Sequence, residues 1–328
     1  MYKNRIILLF IPVFFCFHCI GTDYSTLEDI HKKENFPAFT HPEIQSRITT
    51  APDFVLKYLQ ELDQNPHYRN HILDPTEKHE AVTALKFFPD FMTNTMRDRL
   101  LGIYFIDNFQ GSGLTEWAVD RDGRVFCFMA FNPSVLGKNM TELLTWKENT
   151  VFINENNDGK KISVNCGNRE NAFLYILLHE SFHLYDYVYR ITPYLEDSIK
   201  DYFRLSEIST EYTGTIWCGI RTPCKKLQHT GKISFYGLGR KTELHPSKAI
   251  EIYDELSRSP FISLYSTLSW SEDFAEMGAF YHLTEKLHYR YYLYVLNDGK
   301  IEKEYQPATF PSVKDRFSII KKLYIKKQ

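Results

Sequence analysis

The sequence lacks several features that would place it in common classes of protein. It has no block of basic residues, and its formal net charge is −2, so we expect no nucleic-acid partner. It contains no internal repeat and no low-complexity tract. Beyond residue 21 it has no CxxC pair, so we expect no cysteine-based zinc site in that part of the chain.

The apolar run at the N-terminus is too short for a comfortable membrane span. Lys3 and Arg5 precede this run, which is the pattern of an export signal. Cys16 and Cys19 lie where such a signal would be processed, so one of them could become a lipidated N-terminal cysteine, as in bacterial lipoproteins. Ordinary cleavage nearby and an uncleaved anchor are the alternatives. We therefore expect an exported protein of the periplasm or cell envelope, free there or held at the membrane by the signal or a lipid.

Four cysteines follow later in the chain: Cys127, Cys166, Cys218 and Cys224. An even number of cysteines can pair in an exported protein. Cys218 and Cys224 close a short loop that contains Gly219 and Pro223, so they are the best candidates for a disulfide. The alternative is that all four are buried thiols, because a sequence does not fix connectivity.

The stretch from Asn171 to Asp186 contains the motif His-Glu-x-x-His. Residues four apart lie on the same face of a helix, so His179 and His183 can bind one metal ion, and neutral imidazole is a good zinc ligand. Glu180 stands close enough to hold a water at the metal and to accept its proton. The motif predicts a catalytic zinc site, and the alternative is a solvated helix with two incidental histidines.

The surroundings of the motif are those of a buried helix. Asn168 is a suitable N-cap, and Pro193 is expected to end the helix about two turns after the motif. Two histidines and a glutamate in so apolar a helix need partners, and a metal with its water supplies them. The apolar residues that give the spacing of a buried helix side are Ala172, Phe173, Ile176, Leu177 and Leu184.

The chain beyond residue 51 predicts helices and strands in separate blocks. Helical patterns between residues 52 and 100 predict an N-terminal layer. Strand patterns follow between residues 101 and 165, with hairpin residues at 120–123 and a further strand over 151–154. An edge strand of this sheet could hold an extended peptide through main-chain hydrogen bonds. The later stretches predict helices over 195–213, 246–257 and 312–324, and a hairpin at 297–299.

The motif leaves the third metal ligand open, since a catalytic zinc site usually takes three protein ligands and leaves a position for water. A third histidine six residues after His183 is one known solution, but Tyr189 occupies that position. The other solution is a glutamate from a later helix. In such a helix a second glutamate, one turn on, could accept a hydrogen bond from a ligand histidine. Two pairs have the required spacing: Glu207 with Glu211, and Glu272 with Glu276.

The pair Glu272 and Glu276 lies in a stretch that resembles a known family. Ser271-Glu-Asp-Phe-Ala-Glu276, together with the motif helix, resembles the gluzincin metallopeptidases, in particular the branch that includes the catalytic domain of anthrax lethal factor. The resemblance implies that Glu272 is the third zinc ligand. It also implies that Tyr265, seven residues earlier, helps to stabilise the reacting oxyanion. Glu207 is the alternative ligand.

Two carboxylates are candidates for support of the ligand histidines. Glu276 stands one turn after Glu272 and is expected to accept a hydrogen bond from one of the rings. Asp186 stands one turn after His183 and could orient that ring or cap another group.

The resemblance implies a zinc-dependent metallopeptidase of α+β class with a zincin-like fold. From the patterns along the chain we expect a helical N-terminal layer, to which the resemblance does not extend, a small mostly antiparallel sheet packed on the motif helix, and a helical C-terminal lobe. We expect residues 1–21 to be the signal, 22–50 a linker and 51–328 a single catalytic domain with two lobes. The cofactor would be Zn²⁺ and the partner a peptide or protein substrate. The alternatives are a non-enzymatic surface lipoprotein with a structural metal site and a non-peptide amide hydrolase.

Overall fold

The computed structural model describes residues 24–37, 43–153, 159–167, 171–194, 196–203, 210–236 and 242–325. Its helices are α1 Asp53–Leu62, α2 Pro75–Leu85, α3 Asp90–Arg99, α4 Met140–Asn149, α5 Ala172–Tyr189, α6 Asp197–Phe203, α7 Ala249–Ser257, α8 Trp270–Tyr281 and α9 Pro311–Ile325. Its strands are β1 Arg69–Asn70, β2 Leu100–Asp107, β3 Gly113–Val119, β4 Val125–Phe131, β5 Lys160–Asn165, β6 Trp217–Gly219, β7 Thr222–Pro223, β8 Tyr292–Asn297 and β9 Lys300–Tyr305. The expected signal, with Cys16 and Cys19, lies outside these residues.

The sheet next to the motif helix has four strands in the order β1-β2-β4-β3. β3 and β4 are antiparallel, and their turn is closed by the Gly123 N–H, which donates to the Asp120 carbonyl. Gly123 has a φ of +75°, a conformation that glycine adopts without strain, so the predicted hairpin is confirmed. β2 pairs with β4 in parallel, whereas the pairs at both edges are antiparallel. β3 is therefore an edge strand of a mixed sheet.

The side chains of β4 alternate between two apolar layers, as the two-residue period of a strand requires. The larger layer, which contains α5, receives Cys127, Met129 and Phe131. The smaller layer, on the opposite face of the sheet, receives Phe126, Phe128 and Ala130. Both faces of the sheet are thus covered.

Residues 24–37 contribute to the smaller layer. Ile30 and Phe36 are buried there, and the His31 ring stacks on Trp117 with the ring centroids 3.8 Å apart. Burial of apolar side chains ties this segment to the sheet. The prediction that residues 22–50 form a linker is therefore wrong for this part. The segment consists of short 3-10 turns, which have no periodic pattern in the sequence.

Helix α5 is buried along most of its length. Its N-cap is Asn171, whose side chain accepts the Leu174 N–H at 3.2 Å, while the expected cap, Asn168, lies outside the described residues. The helix ends at Tyr189, because Arg190 adopts a left-handed conformation with a φ of 51°. The end thus comes before Pro193. α5 packs against β3 and β4 on the sheet side and against α8.

Helices α5 and α8 approach each other closely. A Cβ atom on Gly278 of α8 would lie 2.4 Å from the Phe182 ring of α5, so only glycine fits this position. Ser269 caps α8, and its hydroxyl accepts the Glu272 N–H at 3.2 Å. The cap begins the helix at Trp270 and sets Glu272 in the first turn.

The second sheet, β5-β8-β9, is antiparallel and confirms the predicted C-terminal hairpin. The strand predicted over 151–154 is wrong in its described part, where Phe152 forms a single bridge with Leu244. The helix predicted over 195–213 is too long, since α6 is shorter and residues 211–216 form turns.

The predicted disulfide between Cys218 and Cys224 is confirmed, with the two Cα atoms 4.7 Å apart. It closes the short hairpin of β6 and β7. Cys127 and Cys166 are buried and take no part in this disulfide.

The fold is of the mixed α+β class, as predicted, with helices around small sheets that are mostly antiparallel. None of the helices in the described part combines the length and the apolar character needed to span a membrane.

Candidate metal centre

Helix α5 presents His179 and His183 on one face, one turn apart. Their Nε2 atoms lie 3.2 Å from each other, and the rings meet edge to face. The Nδ1 atom of His183 lies 3.0 Å from the Ser271 hydroxyl of α8. Both Nε2 atoms therefore turn towards a common point, as the four-residue spacing predicts.

Helix α8 brings a third ligand atom to this point. The Glu272 Oε2 atom lies 3.1 Å from His179 Nε2 and 3.4 Å from His183 Nε2. A metal bound tetrahedrally at about 2.0–2.2 Å separates its ligand atoms by about 3.3–3.6 Å, so this triangle is close to the size that a metal needs. The predicted grouping of the three residues is confirmed, and it could hold a metal ion.

The alternative pair of glutamates does not enter this site as far as the structure describes it. Glu211 is exposed and pairs with Lys322 of α9. Glu207 lies outside the described residues.

The charges at the site stabilise one another. Burial alone would lower the pKa of His179, but Glu272 and Glu276 raise it to about 10. For Glu272, burial alone would raise the pKa, but the two imidazole rings lower it below its usual value. The ring and carboxylates thus attract one another strongly, and a metal ion would replace the proton of the ring.

Glu180 lies beside the ligand group, on the side of α5 that faces β3. The Thr115 hydroxyl of β3 lies 2.8 Å from Glu180 Oε2 and also donates to the Glu180 carbonyl at 2.9 Å. A Cβ atom on Gly113 would lie 2.9 Å from Glu180 Oε1, so the carboxylate is close to the backbone of the edge strand. This geometry fixes the carboxylate between the motif helix and the sheet edge.

Tyr265 lies at the same site, in a short 3-10 turn just before α8. Its ring centroid is 5.8 Å from that of His179. Burial raises the pKa of Tyr265 well above its usual value, and the charge of Glu272 adds to the effect. The phenol is therefore protonated at neutral pH and can donate a hydrogen bond.

Glu276 stands behind His179, one turn after Glu272. Its Oε1 atom lies 3.1 Å from His179 Nδ1 and 3.0 Å from Lys147 Nζ, and it also accepts from the Tyr175 hydroxyl. Ser263 donates to Oε2 at 2.6 Å. Burial would raise the pKa of Glu276, but Lys147 and His179 lower it to about 2, so the carboxylate is charged.

Of the two roles expected for Asp186, capping another group is the one that the structure shows. Its two carboxylate oxygens accept from the backbone N–H and the hydroxyl of Thr192, each at 2.6 Å. Asp186 therefore holds the loop after α5 through Thr192. The group at His183 Nδ1 is the Ser271 hydroxyl.

Lys147 is a site residue that was missed from the sequence. The buried residues of α4 are Met140, Leu143, Leu144, Lys147 and Glu148, which follow the spacing of an apolar helix side. The position of Lys147 in that spacing was the available signal, but a lysine is normally assigned to the solvent face.

Two cavities flank the ligand group and share the side chains of Tyr236 and Tyr265. The cavity on the side of His179 and Glu180 has a volume of about 180 Å³. The cavity on the side of Glu272 has a volume of about 830 Å³. Together they form a cleft, called here the central cleft, with the candidate metal site between its two halves.

Comparison with known proteins does not assign the chain to a family. No family model matches it, and neither the curated proteins nor the solved structures give a match. What can be said of its function follows from its own residues.

Proposed function

We propose that this chain is a zinc-dependent metallopeptidase with a zincin-like fold. The observation that carries the proposal is the position of Glu180, which lines the cavity that His179 also lines. A carboxylate beside three ligand side chains serves hydrolysis as a general base, whereas a structural metal site has no use for one.

His179, His183 and Glu272 would hold the zinc ion. When bound, zinc supplies a Lewis acid that polarises a carbonyl and lowers the pKa of water in the site. Glu180 accepts the proton of the attacking water and passes it to the leaving amine. Tyr265, protonated because it is buried, donates a hydrogen bond to the developing oxyanion.

The central cleft suits an extended chain. Gly111, Ser112, Gly113 and Leu114, at the start of the edge strand β3, line the cavity next to Glu180. An extended peptide can add to a free strand edge through main-chain hydrogen bonds. A peptide bound there would run past Glu180, which favours a peptide over a small amide as substrate.

The N-terminal sequence supports a location outside the cytoplasm, at the cell envelope, with lipid attachment through Cys16 or Cys19. Fractionation with fatty-acid labelling tests this part. If Cys16→Ser and Cys19→Ser each leave the labelling and the membrane attachment unchanged, the lipid anchor is refuted.

Metal analysis of the full-length protein, combined with digestion of an unbiased peptide library, tests the activity. We expect about one zinc ion per chain and cleavage that stops when a chelator removes the metal. A zinc-loaded protein that cleaves no peptide would refute the peptidase and favour a structural metal site.

A further inference from the structure

Lys147 is a cation buried at the candidate site. It lies on α4, and its side chain is 3% exposed. Burial of an ammonium group is unfavourable unless a partner of opposite charge accompanies it, and an apolar residue would fill the space at less cost. The presence of a lysine here therefore calls for a reason beyond packing.

The ammonium group of Lys147 contacts groups on both sides of the site. Its Nζ atom lies 3.0 Å from Glu276 Oε1 and 2.5 Å from the Tyr175 hydroxyl. On another side, Nζ stands over the ring of Tyr265, 4.0 Å from its centroid. A cation at this distance from the face of an aromatic ring is attracted by it.

These contacts connect two parts of the proposed chemistry. Glu276 stands at Nδ1 of His179 and thereby orients a metal ligand. Tyr265 lines both halves of the central cleft, beside the candidate metal site. The same ammonium group holds the carboxylate in place and forms the support against which the tyrosine ring rests.

We propose that Lys147 is a positioning residue, which fixes Tyr265 for oxyanion stabilisation and keeps Glu276 against His179. This inference rests on the proposed peptidase function. Lys147 does not act as a base or as a metal ligand, since its three N–H donors face Glu276, Tyr175 and the Tyr265 ring. Its effect on the reaction passes through Tyr265 and Glu276.

Replacement of the cation by an isosteric apolar chain tests the proposal. Lys147→Met is expected to lower kcat by about 10–100-fold, the usual cost of losing a partner that orients a ligand. KM is expected to change little, because the Nζ atom of Lys147 is already engaged by Glu276, Tyr175 and the Tyr265 ring. Lys147→Gln, which keeps a donor for Glu276 without the charge, serves as a second variant if Lys147→Met fails to fold.

A double-mutant cycle with Tyr265→Phe separates positioning from general support of the fold. If Lys147 acts through Tyr265, the double variant has a kcat within about twofold of the less active single variant, since coupled residues are not additive. Independent, multiplicative losses would overturn the part of the proposal that concerns Tyr265.

The matched control is Arg316→Met, which removes another buried cation paired with a carboxylate of α8, Asp273. Both substitutions are expected to lower the melting temperature. Only the loss of Lys147 is expected to lower kcat of the folded protein. Equal losses of kcat in both variants would identify Lys147 as a structural residue and overturn the proposal.

A readout without hydrolysis keeps the inference apart from the proposed function. The visible spectrum of the Co²⁺-loaded protein reports the arrangement of the ligands, and we expect Lys147→Met to change it because Glu276 loses its anchor. If the protein cleaves no peptide, the peptidase proposal fails. The Co²⁺ spectrum would still decide whether Lys147 positions the metal ligands. An unchanged spectrum in Lys147→Met and Lys147→Gln would overturn that role.

Discussion

Helix α8 carries buried carboxylates on two of its sides, and their surroundings differ. On the side facing α5, Glu272 and Glu276 meet the ring of His179, and Glu272 also lines the central cleft. On the other side, Asp273 accepts two hydrogen bonds from Arg316, at 2.8 and 2.6 Å, and one from Trp217 Nε1 at 2.9 Å. We call these the site side and the anchor side of α8.

The difference lies in what the partners of each carboxylate can do. The anchor side joins α8 to α9 through a guanidinium group whose fork matches a carboxylate, an arrangement that gives fixed geometry. On the site side, imidazole nitrogen atoms and a lysine face the carboxylates, and Glu272 is 24% exposed to the cleft. The charged groups on the anchor side thus hold α8 in position. Those on the site side hold the candidate metal ligands in position.

The largest difference between the sides is expected from loss of the ligand. Glu272→Ala is expected to abolish tight zinc binding, because one of three ligand atoms is removed. Its neighbour on the anchor side provides the control, since Asp273→Asn is expected to keep the metal. Competition with a chromogenic chelator measures both affinities. Tight zinc binding by Glu272→Ala would remove this residue from the site.

Glu276→Ala extends this comparison within the site side. It is expected to weaken zinc affinity or activity by about 10–100-fold, since the residue orients a ligand and does not bind the metal. An effect as large as that of Glu272→Ala would mean that the two glutamates have been assigned in the wrong order.

The role of Glu180 as general base can be tested without changing the metal ligands, by replacing its carboxylate with an amide. Glu180→Gln is expected to keep zinc and to lower hydrolysis by about 10²–10⁴-fold, the range for a lost general base. The rate of peptide cleavage, measured at full zinc occupancy, checks this. Near-normal turnover of the purified variant would exclude Glu180 from the mechanism.

The anchor side is expected to affect stability and not the metal. Arg316→Met leaves Asp273 without its cation in the core and is expected to lower the free energy of unfolding by about 3–5 kcal/mol. Denaturant titration measures this loss. At denaturant concentrations below the unfolding transition, the zinc affinity of Arg316→Met is expected to match that of the unchanged protein. A tenfold loss of zinc affinity would show that the two sides of α8 are coupled.

The sequence predicts the centre of the site better than its margins. His179, Glu180 and His183 follow from helical spacing, and the Ser269 cap made the start of α8 readable near Glu272. Lys147 was missed because periodicity treats a lysine as a surface residue even when it stands on the buried side of α4. The two roles considered for Asp186 could not be told apart from the sequence, because Thr192, six residues on, is brought back by a turn that no spacing rule describes.

The sheet shows the same limit at a larger scale. The hairpin of β3 and β4 is a local feature with a glycine turn, so it could be predicted. The parallel pairing of β2 with β4 joins residues more than twenty positions apart and has no local signal. Residues 24–37 pack on the sheet through scattered side chains such as Ile30 and Phe36. These side chains follow no helix or strand period, so the sequence pattern does not predict their burial.

The smallest effect is expected from the disulfide, which belongs to the anchor side. Cys218 and Cys224 close the hairpin from which Trp217 donates to Asp273. The Ile220 carbonyl of the same hairpin accepts the N–H of Trp270, the first residue of α8, at 3.2 Å.

Replacement of both cysteines by serine frees a short loop in the unfolded chain and is expected to lower the free energy of unfolding by about 2 kcal/mol. The hairpin keeps its hydrogen bonds to α8 in the folded state, so zinc affinity at 25 °C is expected to stay within about twofold. Thermal unfolding and chelator competition, run on the same samples, measure the two quantities. A zinc affinity that falls tenfold while stability changes by about 2 kcal/mol or less would mean that the hairpin sets the position of Glu272, and the division of α8 into a site side and an anchor side would have to be abandoned.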